Sequence, residues 1–275
     1  MISRKESVRL TGIPRSVRVL QISDVHFSVH GSHEKRQKIT SEILRITDFC
    51  AQPSLHVIAV TGDLVSRSAD QVIFSDALGL LRKLRRIAPV IYSLGNHETD
   101  LPAQLLAQFL RDCRKAGILV LDNISVLLQD ILFTGLTLPG EVYKNHGNQN
   151  NQKLQNCYTD LMPITKDLVS ACVGNCVTHP CVLLAHSPLG FRAYADWGAD
   201  MILSGHVHGG IVRLPGVGGI LSPERRFFPA YTKGLYEIQV QDSQDSRVSR
   251  MSVSAGIGKF RMNNPAELVC LDFVP

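Results

Sequence analysis

Short apolar runs alternate with longer amphipathic stretches along the first half of the chain. Near-continuous apolar runs are typical of strands covered on both faces, and they occur at 17–22, 55–60 and 89–94. Apolar residues recur at helical spacing over 35–49, 71–84 and 102–116. Strands that alternate with helices in this way favour right-handed crossovers and parallel pairing, so the pattern predicts an α/β fold.

After Gly117 the apolar runs become shorter, and turn-forming pairs separate them. A helix is predicted over 161–177, and strands are predicted over 118–121, 125–128, 131–136, 181–185, 201–204, 234–240, 250–254 and 267–273. These strands predict a second sheet that packs on the first within a single domain over 1–275. The Asn-rich and Gln-rich residues 143–155 favour an exposed insertion, so we expect a lid or insertion at about 140–180.

Composition is that of an ordinary folded protein. Hydrophobic residues make up 44% and charged residues 19% of the 275 residues, which favours neither disorder nor a membrane bundle. The first residues lack a secretory signal, and no apolar stretch reaches the roughly 18 residues that span a bilayer. We therefore expect a soluble or peripheral chain. Because Val17 is predicted to begin the first strand, an anchor upstream of Met1 stays open as an alternative.

Charge and cysteine content add little. The net charge of +5 would attract anionic substrates or an anionic membrane surface, and it does not choose between them. Seven cysteines in an irregular arrangement indicate a reducing compartment rather than a disulfide scaffold. A thiolate zinc site at Cys172, Cys176 and Cys181 is an alternative, but no fourth ligand stands at a suitable spacing.

Five short clusters of Asp, Asn and His each follow an apolar run. They are Asp24-Val25-His26, Gly62-Asp63, Gly95-Asn96-His97-Glu98, Ala185-His186-Ser187 and Gly205-His206-Val207-His208. The carboxyl ends of strands are where open α/β sheets bind ligands. Imidazole nitrogens and carboxylate or amide oxygens bind divalent metals, and a metal pair about 3.5–4 Å apart catalyses phosphoester hydrolysis. The clusters together predict a two-metal hydrolytic site.

Residue spacing suggests how the side chains share this site. Asp24 and His26 are two residues apart, and on an extended segment they would point the same way. The same argument applies to His206 and His208. Asp63 has two carboxylate oxygens and could bridge two cations.

Asn96 and His97 are adjacent and would diverge if the chain is extended there. Asn96 would then offer its amide oxygen to a metal. His97 would lean over the phosphate and remain free for acid catalysis.

These motifs, in this order, resemble those of the calcineurin-like metallophosphoesterase superfamily, and the resemblance extends from about Val17 to Phe273. It implies a four-layer α/β/β/α sandwich with two mixed sheets. It also implies two divalent ions, commonly Mn²⁺, with iron, zinc or magnesium in some members. In the implied site, Asp24, His26 and His208 bind one metal, Asn96, His186 and His206 bind the other, Asp63 bridges them, and His97 is the catalytic histidine.

A finer resemblance lies in the carboxyl-terminal third, at Gly205-His206-Val207-His208-Gly209-Gly210, Phe228-Pro229-Ala230-Tyr231 and Ser254-Ala255-Gly256-Ile257-Gly258. These segments are similar to a membrane-associated phosphodiesterase branch, and within it to the chlamydial-type UDP-2,3-diacylglucosamine pyrophosphatases of lipid A synthesis. The resemblance implies hydrolysis of UDP-2,3-diacylglucosamine to UMP and 2,3-diacylglucosamine 1-phosphate. It further implies a cytoplasmic protein that binds the inner membrane peripherally.

Candidate substrate contacts are aromatic and basic. An acyl chain beside an anionic headgroup would suit apolar rings next to arginines, although the same rings could instead fill the core of the second sheet. A guanidinium matches phosphate oxygens, although most arginines simply face solvent. The candidates are Arg192, Arg213, Arg225, Arg226, Phe227, Phe228, Tyr231 and Arg261.

Three alternatives compete with the lipid substrate. A phosphodiesterase for soluble nucleotides or other phosphodiesters would use the same metal site. A nucleic-acid enzyme would need a basic stripe with stacking aromatics, and with 6% aromatic residues and no such stripe we expect no nucleic-acid partner. A non-catalytic metal-binding scaffold is disfavoured because every motif position is filled.

Overall fold

The computed structural model describes residues 1–143, 161–176, 178–210, 212–214, 218–221, 229–241, 246–258 and 262–275. Two six-stranded sheets organise these residues. The first sheet contains, in spatial order, β1 (Ile2–Arg9), β14 (Glu267–Val274), β2 (Val17–Ile22), β3 (Val57–Thr61), β4 (Val90–Ser93) and β5 (Leu119–Val120). Strands β2 to β5 are parallel, whereas β14 is antiparallel to β2 and parallel to β1.

The second sheet has a parallel centre and antiparallel edges. Its spatial order is β12 (Gly234–Gln241), β13 (Ser246–Val253), β9 (Met201–Ser204), β8 (Cys181–Ala185), β7 (Ile131–Leu136) and β6 (Ser125–Leu128). Strands β13, β9, β8 and β7 pair in parallel. A separate antiparallel hairpin pairs β10 (Val212–Leu214) with β11 (Gly218–Leu221).

Helices cover the outer face of each sheet. In the described part of the chain the α-helices are α1 (His33–Cys50), α2 (Gln71–Arg85), α3 (Asn96–Thr99), α4 (Ala103–Lys115), α5 (Lys166–Val173) and α6 (Phe191–Trp197). One core cluster joins α1, α2 and α4 to the first sheet, a second lies between the sheets, and a third joins α5 and α6 to the second sheet. The order of layers is therefore helix, sheet, sheet, helix, and the predicted fold class is confirmed.

The strongest sequence patterns match the structure closely. The predicted strands at 17–22, 125–128, 131–136, 181–185 and 201–204 have the observed bounds. Except at 125–128, where exposed and half-buried residues alternate, the residues of these strands are largely buried, so burial on both faces explains their apolar runs. Within the described ranges, none of the helices is long and apolar enough to cross a membrane.

Three predictions are wrong. The first strand is β1, not the strand at Val17. Strand β14 joins the first sheet, where it separates β1 from β2, rather than the second sheet. The helix predicted over 161–177 is only α5, which ends at Val173 and is capped by Gly174, where φ is 75°. Strand β1 was not predicted because it lacks a continuous apolar run. Only the side of an edge strand that packs on the core must be apolar.

The predicted insertion falls largely on residues 144–160, which lie outside the described residues. Its described flanks are a 3₁₀ turn over Gly140–Val142 and helix α5. Both flanks pack on the second sheet through Val142 and Val169. The single-domain organisation with a lid stays a prediction.

Candidate metal centre

The five polar clusters follow five parallel strands of the two sheets. Asp24 follows β2, Asp63 follows β3, Asn96 follows β4, His186 follows β8 and His206 follows β9. Parallel strands of one sheet end at the same edge. Because the two sheets pack face to face, the clusters of both sheets converge at this edge.

Three groups of histidine and carboxylate side chains have ligand atoms within 4.8 Å of one another. The groups are Asp24 with His26 and His208, His26 with Asp63 and His97, and Asp63 with His186 and His206. His26 and Asp63 each belong to two groups. The three groups therefore form one continuous cluster rather than separate sites.

The backbone at these residues is left-handed. The φ angle is 52° at Asp24 and His26, 51° at Asp63, 67° at His206 and 50° at His208. The predicted extended backbone is therefore wrong. Asp24 and His26 nevertheless belong to one group, as predicted, whereas His206 and His208 do not share a group. His206 joins the group of Asp63 and His208 joins that of Asp24, which is the division that the family resemblance implies.

Tertiary hydrogen bonds hold this backbone in place. The N–H of Asp24 donates to the carbonyl oxygen of Gly62 at 3.1 Å, and the N–H of His26 donates to that of Asp63 at 2.9 Å. A left-handed conformation costs a residue with a side chain about 1–2 kcal/mol. Such a cost at five positions indicates a site whose geometry the surrounding structure imposes.

Asp24 is fully buried and its carboxylate is held by neighbours. The hydroxyl of Ser23 donates to Oδ2 at 2.6 Å, and the backbone N of His206 lies 3.1 Å from both carboxylate oxygens. Burial alone would raise the pKa of Asp24, but the nearby His208 and His26 lower it below its ordinary value. Asp24 is therefore a carboxylate at neutral pH.

Asp63 lies where the groups overlap. Its Oδ2 is 3.2 Å from Nε2 of His186, 3.6 Å from Nε2 of His26 and 3.9 Å from Nε2 of His97. Its Oδ1 accepts a hydrogen bond from the backbone N of His97 at 2.9 Å. Burial raises the pKa of Asp63, but His186 and His26 lower it well below its ordinary value.

His186 is oriented by a backbone contact. Its Nδ1 lies 2.8 Å from the carbonyl oxygen of Thr61, so Nδ1 donates and Nε2 faces Asp63. Burial lowers the pKa of His186, but the negative charge of Asp63 outweighs burial and raises it to about 10. Binding of a divalent cation at Nε2 would therefore release a proton.

Several buried atoms of the cluster make no hydrogen bond with the part of the chain that the structure describes. They are Nε2 of His26, Nε2 of His186 and Oδ1 of Asn96. Buried polar atoms in folded proteins nearly always have partners, and an unprotonated ring nitrogen or an amide oxygen can donate an electron pair to a metal. Together with two buried carboxylates, this donor set fits divalent cations.

Asn96 and His97 lie in the first turn of α3, not in extended chain, so the reason given for their divergence is wrong. Their environments nevertheless differ. Asn96 is buried, whereas the side chain of His97 is 23% exposed. Nδ1 of His97 accepts a hydrogen bond from the backbone N of Arg67 at 3.3 Å. Burial and Arg67 contribute to lowering the pKa of His97 to about 4, so the ring is neutral at pH 7.

The sequence reasoning assigned no role to Glu98, which is fully buried. Its Oε2 accepts hydrogen bonds from the backbone N of Asp63 and of Gly95, both at 2.8 Å, and its Oε1 accepts from that of Val65 at 3.0 Å. Glu98 thus ties the Asp63 loop to the start of α3. A glutamate at the third position of a helix is a capping signal that could have identified it.

The residues predicted to contact substrate do not form a single cluster in the described part of the chain. Arg192 is exposed and pairs with Asp196 at 2.9 Å, and Arg213 donates to the carbonyl oxygen of Gly209 at 3.0 Å. Tyr231 packs edge-on against Phe191, in agreement with a role in the core of the second sheet. Arg225, Arg226, Phe227, Phe228 and Arg261 lie outside the described residues. Over the described ranges, no cysteine belongs to a group that could hold a metal.

Comparison with known proteins adds the following similarities. The sequence profile of the calcineurin-like phosphoesterases matches residues 17–210. The uncharacterized metallophosphoesterase YkuE of Bacillus subtilis (strain 168) is 25% identical over 221 residues, which cover 80% of this chain and 67% of that protein.

Among solved structures, TT1561 of Thermus thermophilus has a TM-score of 0.46 and 13% identity, with 88% of this chain and 90% of that chain covered. The nuclease MPE of Pseudomonas putida has a TM-score of 0.40 and 16% identity, with 89% and 79% covered. The NAD nucleotidase NadN of Haemophilus influenzae has a TM-score of 0.44 and 12% identity, with 88% and 45% covered.

Proposed function

The chain belongs to the calcineurin-like phosphoesterase family of metal-dependent phosphoester hydrolases, and we propose that it cleaves the pyrophosphate bond of UDP-2,3-diacylglucosamine. The products would be UMP and 2,3-diacylglucosamine 1-phosphate. The observation that carries the hydrolytic part is the continuous cluster in which His26 and Asp63 each belong to two metal-capable groups. The lipid-linked substrate rests on the resemblance of the carboxyl-terminal third and on the surface beside this cluster.

The residues fit a pair of divalent cations. In our assignment Asp63 would serve both ions, Asp24, His26 and His208 would hold one of them, and Asn96, His186 and His206 would hold the other. Manganese is the proposed ion, with iron, zinc and magnesium as alternatives. Such a pair would polarise the phosphoryl group and supply a nucleophile at neutral pH.

The chain's own contribution to proton transfer lies in His97. Nδ1 of His97 lies 3.3 Å from the backbone N of Arg67, and Nε2 lies 3.9 Å from Oδ2 of Asp63. His97 is partly exposed, so it can reach a substrate bound at the cluster. In our proposal the negative charge of a bound phosphate raises the pKa of His97, and the protonated ring then donates a proton to the leaving oxygen and returns to its neutral form.

The surface beside the cluster supports an acylated substrate. Leu214 is 45% and Met262 is 59% exposed, and the backbone N of Arg213 donates to the carbonyl oxygen of Met262 at 3.1 Å. Nδ2 of Asn264 donates to the carbonyl oxygen of His208 at 2.5 Å, so the same segments also contact the metal loop. Exposed apolar side chains next to a site suit an acyl chain or the membrane surface, and peripheral membrane contact is part of the proposal.

Substrate comparison tests the proposal. Purified protein with Mn²⁺ is incubated separately with UDP-2,3-diacylglucosamine, unacylated UDP-glucosamine, a cyclic nucleotide and a phosphomonoester, and UMP and phosphate are quantified by mass spectrometry. We expect UMP from the diacylated substrate at a kcat/KM well above that for the others. Equal or faster cleavage of the soluble nucleotides would refute the lipid substrate and favour a soluble-nucleotide phosphodiesterase.

Metal content provides the matching control. The Asp63→Ala variant should lose bound metal and activity together, because it removes the residue shared by two groups. Full metal occupancy of that variant by elemental analysis would contradict the bridging role. A wild-type protein that binds both ions but hydrolyses none of the substrates would support the non-catalytic scaffold instead.

A further inference from the structure

Glu267, the first residue of β14, is fully buried and belongs to none of the metal-capable groups among the described residues. Its Oε1 accepts a hydrogen bond from the backbone N of Ala255 at 3.0 Å. Its own backbone N donates to the carbonyl oxygen of Gly256 at 3.0 Å. Glu267 therefore holds the segment 254–258 through both its side chain and its backbone.

Two cations compensate the buried charge of Glu267. Nζ of Lys233 lies 2.9 Å from Oε2, and Nε of Arg4 lies 3.4 Å from Oε1. Arg4 also donates to the carbonyl oxygen of Val253 at 3.0 Å, directly before the segment. Burying a carboxylate is costly unless it is paired and hydrogen-bonded, so this arrangement fixes the segment between residues of both sheets.

The opposite side of segment 254–258 contacts Asp24. The backbone N of Gly258 donates to the carbonyl oxygen of Asp24 at 2.6 Å. Gly256 has a φ of 66°, and a Cβ there would lie 2.6 Å from Cβ of Asp24. The segment therefore packs against both the backbone and the side chain of Asp24.

The same segment contacts the two histidines that are grouped with Asp24. A Cβ at Gly258 would lie 2.7 Å from Cδ2 of His26 and 3.1 Å from Cε1 of His208. These contacts, with those to Asp24, involve all three members of one metal-capable group. Gly258 therefore sits where any displacement of the segment moves two imidazole rings.

We propose that Glu267 is a positioning residue for one of the two metal ions. Acting through segment 254–258, it sets the geometry of Asp24, His26 and His208 without contributing an atom to the site. This inference rests on the proposed two-metal function, because it presumes that this group binds an ion. The proposal requires that replacing Glu267 weakens the binding of one ion more than that of the other.

Binding of Co²⁺ alone tests this, by calorimetric titration and by the visible absorption spectrum of the bound ion. We expect two ions per wild-type chain. In Glu267→Ala, one ion should bind about 10–100-fold more weakly with an altered spectrum, as is typical when a supporting contact of a ligand is removed. Glu267→Gln keeps an acceptor for the N–H of Ala255 and should recover much of the lost affinity. Glu237→Ala, which removes an exposed carboxylate on β12, serves as the control.

A second variant guards against a general loss of folding. Gly258→Ala keeps Glu267 intact and places a methyl group against His26 and His208, so it should weaken the same ion. Two Co²⁺ ions bound to both variants with wild-type affinity and spectrum would refute the positioning role alone. Equal weakening of both ions would also refute it. A wild-type chain that binds no pair of ions would refute the proposed function itself.

Discussion

Glu98 accepts a hydrogen bond from the backbone N of Asp63 at 2.8 Å, and this contact joins the loop of Asp63 to the first turn of α3, which carries Asn96 and His97. The two residues are far apart in the sequence, and both are buried. The geometry of the cluster therefore depends on a carboxylate that belongs to none of the metal-capable groups among the described residues. The relationship yields a stability prediction.

Glu98→Gln should destabilise the protein by about 2–4 kcal/mol, because the amide places an NH₂ group against backbone N–H donors and leaves one or two of them unsatisfied. Urea unfolding of the metal-free variant measures this loss. Glu34→Gln, at an exposed position in the first turn of α1, should cost no more than about 1 kcal/mol. An unfolding free energy for Glu98→Gln equal to that of the wild type would contradict the role assigned to Glu98.

Asp76 on α2 pairs with two residues of α1, and the pair predicts a pH-dependent stability. Nε of Arg36 lies 2.6 Å from Oδ2 of Asp76, and Nδ1 of His33 lies 3.1 Å from Oδ1. Burial raises the pKa of Asp76, but the hydrogen bonds from Arg36 and His33 outweigh it and lower the pKa below 3.8. The stabilisation is therefore present above the ordinary pKa and is lost as pH falls through the lowered one.

Asp76→Asn should cost about 2–4 kcal/mol at pH 7, because it leaves the buried guanidinium of Arg36 without its counter-charge. The difference in unfolding free energy between this variant and the wild type should narrow below about pH 4, where the carboxylate of Asp76 becomes protonated. Chemical denaturation across this range measures it. Asp112→Asn, which removes an exposed pair with Lys115, is the control, and its unfolding free energy should differ little from that of the wild type. If the difference for Asp76→Asn instead widens below about pH 4, the assigned contact is wrong.

The positions of the buried strands and the convergence of the five polar clusters could be predicted from the sequence. Strands such as β3 and β8 are buried along their whole length, so they permit only apolar residues and leave a clear signal. Parallel pairing then brings the residues that follow them together. Asp63 was chosen as the bridging residue for its two carboxylate oxygens, and this stays a prediction; the structure places Asp63 in two of the three metal-capable groups.

Other features depend on tertiary contacts that no local pattern encodes. Strand β1 is recognisable only by its pairing with β14, whose residues lie at the other end of the chain. The left-handed backbone of Asp24 and His206 is imposed by distant partners, since aspartate and histidine do not favour it strongly enough alone. In the sequence, Glu267 is only an acidic residue at the start of a predicted strand. Its contact with segment 254–258 is visible only in the structure.

His97→Ala should leave both metals bound and reduce kcat by about 10²–10⁴-fold, because proton donation to a leaving group typically contributes that much. Elemental analysis and steady-state kinetics on the same sample separate the two effects. His30→Ala, at an exposed position of the chain, is the matched control and should retain wild-type rates. Loss of one metal in His97→Ala would instead make His97 a ligand in the group that it shares with His26 and Asp63.

Arg67 was not among the arginines selected from the sequence, yet its guanidinium lies beside His97. Nη2 of Arg67 is 3.4 Å from Nε2 of His97 and 3.7 Å from Oδ2 of Asp100, and the side chain is 56% exposed. A guanidinium at the entrance of a phosphoester site can bind substrate oxygens in a bidentate manner. We therefore expect Arg67 to contact a phosphate of the substrate.

Arg67→Ala should lower kcat/KM by about 10–100-fold, mainly through KM, because a hydrogen bond to a charged group is worth about 1.5–3 kcal/mol. Arg67→Lys should restore the charge but only part of the effect, since an ammonium lacks the planar fork. Arg45→Ala, at an exposed position on α1 where the arginine pairs with Glu42, is the control and should match the wild type. If Arg67→Ala keeps the wild-type KM while Arg192→Ala raises it, the substrate phosphate binds on the α6 side of the cluster instead.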